Sequence, residues 1–300
     1  MSVPSYGSSE VPAGPSCFYH PDRPSYIRCQ RCDRPICTDC QTPAPVGFHC
    51  PGCLDEARRR RPAQRTEFGA PLRADEKPRL TYAVIALCAV MYLLQWTAQT
   101  TGANVTGYLS YAPAHTSQWL MEPWRMLTSA VLHSPANVMH IGFNMLALWI
   151  VGRVIEPAIG RLRYAALLVL SALGGSVAVL WLTEPNVPTV GASGAVFGLF
   201  GALFILMRSS GAESGGVIAL VAVNMAMSFI VPNISWQGHL GGLVAGALVA
   251  LVIAKAPRGR RVLWQTLGLA GIAVALIALT IVGIPLVNPP QLGQPPILGF

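Results

Sequence analysis

Four pairs of metal-binding side chains, each with two residues between its members, lie near the start of the chain. They are Cys17 and His20, Cys29 and Cys32, Cys37 and Cys40, and Cys50 and Cys53. Thiolates and imidazoles at this spacing are typical of structural zinc sites, and eight ligands suffice for two tetrahedral Zn²⁺ ions. His49, which precedes Cys50, is an alternative ligand. Because protein would fill every ligand position, the predicted role of the metal is structural and not catalytic.

A second set of reactive side chains lies inside long apolar segments. His140 and Asn144 occur in VMHIGFNML, Ser193 in GASGAVFGLF, and His239 in GHLGGLVAG. A serine beside a histidine is the pair from which a base-activated nucleophile is built. Each residue alone also has a structural interpretation, because small residues such as Ser193 let helices approach closely and single histidines often bond between helices. Asn224 has no matched partner and is interpreted as structural.

Acidic residues are scarce around this second set. After Lys77 the acidic residues are Glu122, Glu156, Glu184 and Glu213. Glu213 alone follows Ser193, and it lies beyond the far end of that apolar segment, so a Ser-His dyad is favoured over a Ser-His-Asp triad. A tetrahedral oxyanion would need hydrogen-bond donors, and the available set is the Ser193 amide, His140 and Asn144.

The apolar segments are long enough to cross a lipid bilayer, which takes about 20 helical residues. The chain is 52% hydrophobic and 11% charged, which is unusual for a soluble protein. We predict seven spans, at residues 80–97, 136–155, 163–182, 194–208, 216–232, 236–254 and 263–286. The predicted fold class is therefore an all-α polytopic membrane protein that carries a small zinc-binding domain.

The positive charges predict how these spans are oriented. If the N-terminus is inside, all of the 21 Lys and Arg residues except Arg125 fall on the inner side, as basic loops prefer. The zinc-binding segment is then cytoplasmic, where reducing conditions disfavour disulfides. The run at residues 58–61 is interpreted as a solvated linker or a contact with anionic lipid, and not as a nucleic-acid site. The first residues lack the pattern of a cleaved signal peptide.

The predicted spans bring the second set of side chains to one depth. Spans two, four and six run in the same direction. With a rise of 1.5 Å per residue, their polar residues lie within about 7 Å of one level near the outer face. Glycines repeat at intervals of four on two of these spans, as Gly194 and Gly198 and as Gly238, Gly242 and Gly246. Such faces let two helices pack closely, so that one side chain from each can touch.

The apolar part of the chain resembles the rhomboid intramembrane serine proteases over about residues 80–255. The matching motifs, in order, are EPWRMLTSAVLH with Trp124 and Arg125, HIGFN, GASG and GHLGG. The resemblance implies that Ser193 is the nucleophile and that His239 is the general base. It also implies that His140, Asn144 and the Ser193 amide form the oxyanion hole.

Three features qualify this resemblance. Phe197 stands where relatives often carry a tyrosine that stacks on the histidine, and we expect the stacking to be preserved. His133 precedes His140 by a longer gap than is usual, so it is interpreted as structural. The seventh span is an addition seen in part of the family.

The Cys-rich segment resembles cross-brace zinc fingers of the B-box type, although their final pair is usually histidine. The resemblance implies one ion held by Cys17, His20, Cys37 and Cys40, and a second held by Cys29, Cys32, Cys50 and Cys53. A segment of this size with few large apolar residues cannot be stabilised by core burial alone, so bound metal would supply folding energy.

These inferences predict five regions and one function. Residues 1–16 are a disordered N-terminus, 17–53 the zinc domain, 54–78 a basic linker, 79–255 a six-span rhomboid protease core, and 256–300 a seventh span with a Pro-rich tail. The predicted function is cleavage of transmembrane segments near the outer face of the cell membrane, without a catalytic cofactor. Expected partners are single-span or multi-span membrane substrates, the lipid bilayer, and a cytoplasmic protein bound by the zinc domain.

Three alternative functions are an inactive helix-binding relative, a transporter, and an anchored zinc domain. The first would be expected to lack Ser193 or His239, and both are present. The second predicts repeat symmetry between halves, which the sequence lacks. The third leaves the four polar residues at one depth unexplained.

Overall fold

The structure is a computed structural model that describes residues 14–60, 64–72 and 77–287. The chain divides into two compact units, residues 1–63 and residues 64–300. Most of the predicted disordered N-terminus and the Pro-rich tail after residue 287 lie outside the described residues. The finer division into five regions stays a prediction.

The first unit is small, and its core is built from cysteines. Strand β1 (Ser16–Cys17) pairs antiparallel with β2 (His20–Pro24), and β3 (Thr42–Pro43) pairs antiparallel with β4 (Phe48–His49). Helix α1 (Pro51–Arg60) follows and covers the first residues of the predicted linker. The buried core consists of Ile36 and six cysteines, so apolar burial alone offers little stabilisation.

Seven apolar helices form the described part of the second unit, and each overlaps a predicted span. They are α2 (Arg79–Thr101), α5 (Val138–Ile159), α6 (Arg161–Leu182), α7 (Ser193–Ser209), α8 (Gly215–Ile230), α9 (Trp236–Lys255) and α10 (Arg261–Gly283). Two short helices, α3 (Val105–Leu109) and α4 (Arg125–Thr128), lie between α2 and α5.

Five of the apolar helices are long enough to cross a membrane, namely α2, α5, α6, α9 and α10. Helices α7 and α8 are shorter, at 17 and 16 residues. The chain is thus a multi-pass, mostly helical membrane protein, as the sequence predicted.

Local sequence signals set several helix ends. Helix α2 ends where Gly102 adopts a left-handed conformation with φ of 76°. Helix α5 begins at the cap residue Asn137, whose side chain accepts a hydrogen bond from the amide of Met139. The Ser235 hydroxyl likewise accepts from the Gly238 amide at the start of α9. These two caps fix the ends of α5 and α9 that carry polar residues.

Glycine contacts bring α6, α7 and α9 together in the centre of the second unit. A Cβ added to Gly242 would overlap the carbonyl oxygen of Gly194, and one on Gly246 would overlap that of Gly198. On the other side of α9, a Cβ on Gly241 would overlap the backbone of Gly174. The predicted small-residue faces are therefore confirmed for Gly194 and Gly198 against Gly242 and Gly246, whose backbone contact any side chain would prevent. A Cβ on Gly238 would instead meet Ser235 and Val179.

The loop between α2 and α5 is held by Arg125. Arg125 is 7% exposed, and its guanidinium pairs with Glu122 at 2.5 Å and donates to the carbonyl oxygens of Gly107 and Ser110. The loop is attached to α6 because the Ser176 hydroxyl donates to the Met126 carbonyl at 2.7 Å. The one basic residue on the predicted outer side thus has a structural role.

The opposite end of the second unit is held by Glu156, which is 1% exposed. Its carboxylate accepts hydrogen bonds from the amides of Leu80 and Thr81 and from the Thr81 hydroxyl, all at 2.8–2.9 Å. A negative charge at these free amides at the start of α2 satisfies the helix end and stabilises its dipole. Glu156, the acidic residue in α5, therefore has a structural role at the start of α2.

Candidate active site and metal-binding sites

Ser193 is the first residue of α7, and the loop before it is shaped by Gly191. Gly191 has φ of 133°, a conformation that side chains disfavour, and its amide donates to the carbonyl of Ser129 at 3.0 Å. Ser193 is half-buried and lies two residues before Ala195, which belongs to the hydrophobic core. Its amide belongs to the first turn of a helix and has no partner within that helix, so it can donate elsewhere.

His239 lies in the first turn of α9 and is 7% exposed. Its ring stacks on Phe197, which lies one helical turn after Ser193, with centroids 4.1 Å apart. The predicted stacking is therefore confirmed. Nδ1 of His239 is 2.7 Å from the hydroxyl of Ser228 in α8, so Nε2 is the ring nitrogen that remains for other partners. Within the described residues, no hydrogen bond joins Ser193 to His239. Catalytic contacts often tighten only when substrate binds.

His140 and Asn144 lie one turn apart near the start of α5. Nδ1 of His140 accepts a hydrogen bond from the Ser134 amide at 3.4 Å, which leaves its Nε2 as the N–H donor. A Cβ placed on Gly191 would lie 2.8 Å from this Nε2 and 3.6 Å from Oγ of Ser193. The His140 donor and the Ser193 hydroxyl therefore border the same small space.

Asn144 is buried and supports its neighbour on the helix. Its side-chain amide donates to the carbonyl of His140 at 2.8 Å. One of its two N–H groups is used in this way, and the second remains available as a donor. The four predicted site residues thus come from three helices, and they lie near the N-terminal ends of α5, α7 and α9.

His133 lies beside this site but is not exposed to it. The ring is fully buried, neither nitrogen has a hydrogen-bond partner, and it meets the His140 ring edge to face at 5.3 Å. Burial, followed by the proximity of His140, lowers the pKa of His133 to about 3. The ring is therefore neutral at neutral pH and packs against His140, in keeping with the predicted structural role.

Ser228 is the residue of this site that sequence reasoning did not single out. It lies in an apolar stretch of α8, its hydroxyl is buried, and its contact with His239 joins two neighbouring helices. Serine is common in membrane helices, so only its position opposite His239 distinguishes it.

The first unit contains two groups of side chains that could hold metal ions. Cys17, His20, Cys37 and Cys40 form one group, and Cys29, Cys32, Cys50 and Cys53 form the other, with ligand atoms within 4.8 Å of one another in each. These are the two sets that the cross-brace resemblance implies. His49 lies in β4 and belongs to neither group as the structure describes them.

The spacing of these ligand atoms fits zinc. Tetrahedral Zn²⁺ with bonds of about 2.3 Å to sulfur and about 2.0 Å to nitrogen places its ligand atoms about 3.5–3.8 Å apart. Nδ1 of His20 is 3.8 Å from Sγ of Cys17 and 3.4 Å from Sγ of Cys37 and of Cys40. In the second group, the Sγ atoms of Cys32 and Cys50 are 3.6 Å apart.

Neighbouring donors also suit thiolate ligands in the second group. Sγ of Cys29 accepts from the Cys50 amide at 3.2 Å, and Sγ of Cys50 accepts from the Tyr19 hydroxyl at 3.4 Å. Such bonds stabilise a deprotonated sulfur and orient it toward a metal.

Comparison with known proteins identifies the family. Residues 120–256 match the model of the Rhomboid domain. The chain is 35% identical over 218 residues to the rhomboid protease GluP of Bacillus subtilis, a match that covers 68% of this chain and 40% of GluP. It is 32% identical over 190 residues to YdcA of the same organism, which also carries a rhomboid name, with 58% of this chain and 88% of YdcA covered. The rhomboid protease AarA of Providencia stuartii is 27% identical over 209 residues, which cover 60% of this chain and 69% of AarA.

The fold and the site define a polytopic membrane protein with a glycine-packed helix bundle, in which a serine and two histidines lie near the N-terminal ends of three helices. The chain belongs to the rhomboid family, and the resemblance stated from its motifs is confirmed. The chain spans less than half the length of GluP but most of YdcA.

Proposed function

We propose that this protein is an intramembrane serine endopeptidase that uses a Ser193-His239 dyad. The observation that carries the proposal is the contact between α7 and α9. Phe197 stacks on the His239 ring one turn after Ser193, and Gly242 meets the carbonyl of Gly194. This close approach of the two helices supports neighbouring positions for the Ser193 hydroxyl and the His239 imidazole.

In the proposed reaction, Oγ of Ser193 attacks the carbonyl carbon of the scissile peptide bond while Nε2 of His239 takes the hydroxyl proton. The tetrahedral intermediate collapses as the C–N bond breaks, and His239 returns the proton to the departing amine. Water then attacks the acyl ester with His239 again as the base, which releases the acid and restores Ser193.

The oxyanion of the intermediate would be bound by the Ser193 amide, Nε2–H of His140 and the free N–H of Asn144. Support comes from the space beside Gly191, which both His140 Nε2 and Ser193 Oγ border. Donors fixed before reaction stabilise the developing charge without reorganisation, which is the largest catalytic contribution in many hydrolases.

Substrates would be transmembrane segments of single-span or multi-span membrane proteins. A helical segment hides its amides in its own hydrogen bonds, so local unwinding must precede attack. Gly or Pro near the cleavage point lowers that cost. Both the family and the apolar surface of the second unit support substrates that lie in the bilayer.

The first unit is proposed to bind two structural Zn²⁺ ions and to lie in the cytoplasm, with the active site toward the outer face of the cell membrane. Sulfur-rich donor sets with the spacing described above favour Zn²⁺. The charge asymmetry of the loops supports this orientation. The zinc would stabilise the unit and take no part in hydrolysis, and the unit is proposed to bind a cytoplasmic protein partner.

The decisive experiment combines active-site labelling with cleavage. The purified protein is treated with a fluorophosphonate probe and assayed on a single-span model substrate, alongside Ser193→Ala, His239→Ala and Ser209→Ala. Ser209 ends the same helix, so its variant is the matched control. We expect labelling and cleavage in wild type and Ser209→Ala only, because the nucleophile and the base act as one unit. Cleavage by Ser193→Ala would overturn the proposal.

A further inference from the structure

Two neighbouring side chains hold the ring of His239 in place. Phe197 covers one face of the ring, and the hydroxyl of Ser228 meets Nδ1 at 2.7 Å. Ser228 is 4% exposed and lies eleven residues before His239, on the preceding helix α8. Helix α8 has only two buried residues in the structure, Val217 and Ser228. Burial of this serine against α9 is therefore exceptional for its helix.

A second hydrogen bond determines the direction of the first. Oγ of Ser228 is 3.0 Å from the carbonyl oxygen of Asn224, four residues earlier on the same helix. A carbonyl oxygen can only accept, so the single hydroxyl proton of Ser228 is donated to Asn224. The hydroxyl oxygen then has only lone pairs to offer to Nδ1 of His239. With this pair of bonds, Nδ1 of His239 carries the proton that joins it to Ser228.

We propose that Ser228 is a positioning residue that fixes the tautomer and orientation of the general base. This inference rests on the proposed function of the Ser193-His239 pair. With the proton on Nδ1, Nε2 of His239 carries the lone pair that must accept the Ser193 proton. The opposite tautomer would present an N–H to the Ser193 hydroxyl and could not act as a base. Ser228 thus occupies the place that an orienting carboxylate fills in a triad.

The hydroxyl also acts after proton transfer. Once Nε2 has taken the Ser193 proton, both ring nitrogens are donors, and the Ser228 oxygen still accepts from Nδ1. Because Ser228 is neutral, it orients the imidazolium without the strong charge stabilisation that a carboxylate supplies. The expected contribution of Ser228 to kcat is accordingly that of one neutral hydrogen bond.

Steady-state kinetics with a membrane-embedded model substrate test this role. We expect Ser228→Ala to lower kcat by about 3- to 10-fold with KM unchanged, because the bond orients the base and does not touch substrate. Ser228→Thr should restore kcat, because a threonine hydroxyl can also donate to the carbonyl one turn back. The matched control is Thr280→Val, which removes a similar bond, 2.9 Å to the carbonyl of Leu276, far along the chain in α10. That variant should retain wild-type kcat and KM.

A spectroscopic measurement on the wild-type protein keeps the inference testable if a variant unfolds. ¹⁵N chemical shifts of the His239 ring in the full-length protein should show the neutral Nδ1–H tautomer, and Ser228→Ala should add the Nε2–H form. A neutral Nε2–H ring in wild type, or an unchanged kcat in folded Ser228→Ala, would overturn the role of Ser228. Cleavage by Ser193→Ala, measured in parallel, would instead overturn the proposed function itself, so the two failures are distinguishable.

Discussion

The imidazole of His239 lies parallel to the ring of Phe197, with ring centroids 4.1 Å apart and ring planes 14° from each other. Phe197 is 3% exposed and belongs to the helix that Ser193 begins, whereas His239 belongs to α9. The stacking therefore joins the two helices at the level of the proposed active site.

Replacement of Phe197 by leucine should slow cleavage to a greater extent than its loss of stability explains. Leucine keeps most of the apolar volume but removes the flat surface that orients the His239 ring, so we expect kcat to fall about 10-fold. The matched control is Phe200→Leu, since Phe200 is equally buried and meets Phe197 edge to face. Both variants should lose similar thermal stability in detergent. If both variants cleave at equal rates, the stacking does not orient the base.

Loss of either proposed oxyanion donor should lower turnover without weakening substrate binding. His140→Ala and Asn144→Ala each remove a donor needed in the transition state, at a cost of about 3 kcal/mol or roughly 100-fold in kcat. Asn137→Ala serves as the control, because it removes only the cap at the start of the same helix. It should cost about 1 kcal/mol of stability and leave kcat intact. Wild-type kcat in both donor variants would contradict the assignment while leaving the dyad possible.

The packing of α7 on α9 should not tolerate a side chain at Gly242. A Cβ there overlaps the backbone of Gly194, so Gly242→Ala must push the helices apart, with an expected loss of about 1–3 kcal/mol. At Gly271 in α10 an added Cβ meets nothing within 4 Å. Gly271→Ala should therefore be neutral or stabilising by up to about 1 kcal/mol. Unfolding in mixed detergent measures both variants, and equal stabilities would refute this account of the helix contact.

Metal analysis of the full-length protein should find close to two zinc ions per molecule. Cys37→Ser should retain about one ion, because only one of the two ligand groups contains Cys37. A strong chelator should unfold the first unit but leave fluorophosphonate labelling of Ser193 unchanged. A protein without zinc, or labelling abolished by chelation, would contradict the proposed structural role.

A truncated protein that lacks the first unit should still cleave the model substrate. It must retain residues 64–72, since the Thr66 hydroxyl donates to the carbonyl of Ala158 and Phe68 lies in the membrane core. A protein that begins after residue 72 should be less stable, whereas one that begins at residue 64 should keep the kcat of the full chain. Loss of all activity in the truncated protein that retains residues 64–72 would show that the first unit is required for cleavage.

The sequence predicted the seven helices because hydrophobicity along a segment is a local property that neighbours in space do not change. It also predicted the two ligand groups, through the pairing that the cross-brace resemblance implies. It did not predict that the segment around Phe68 packs into the membrane core, or that Glu156 binds the start of α2. Both contacts join residues far apart in sequence, so the periodicity of the sequence does not indicate them.

At the proposed active site, residue type, predicted depth and the family resemblance singled out Ser193, His239, His140 and Asn144, because polar side chains are rare and costly in hydrocarbon. Which atoms meet depends on the rotation of each helix about its axis. That rotation is set by glycine contacts such as Gly194 with Gly242, which exist only between packed helices. Ser228 became recognisable only when α8 and α9 were placed side by side. The sequence by itself indicated the residue types for the proposed chemistry, and the tertiary structure decided that the Ser228 hydroxyl contacts the proposed base.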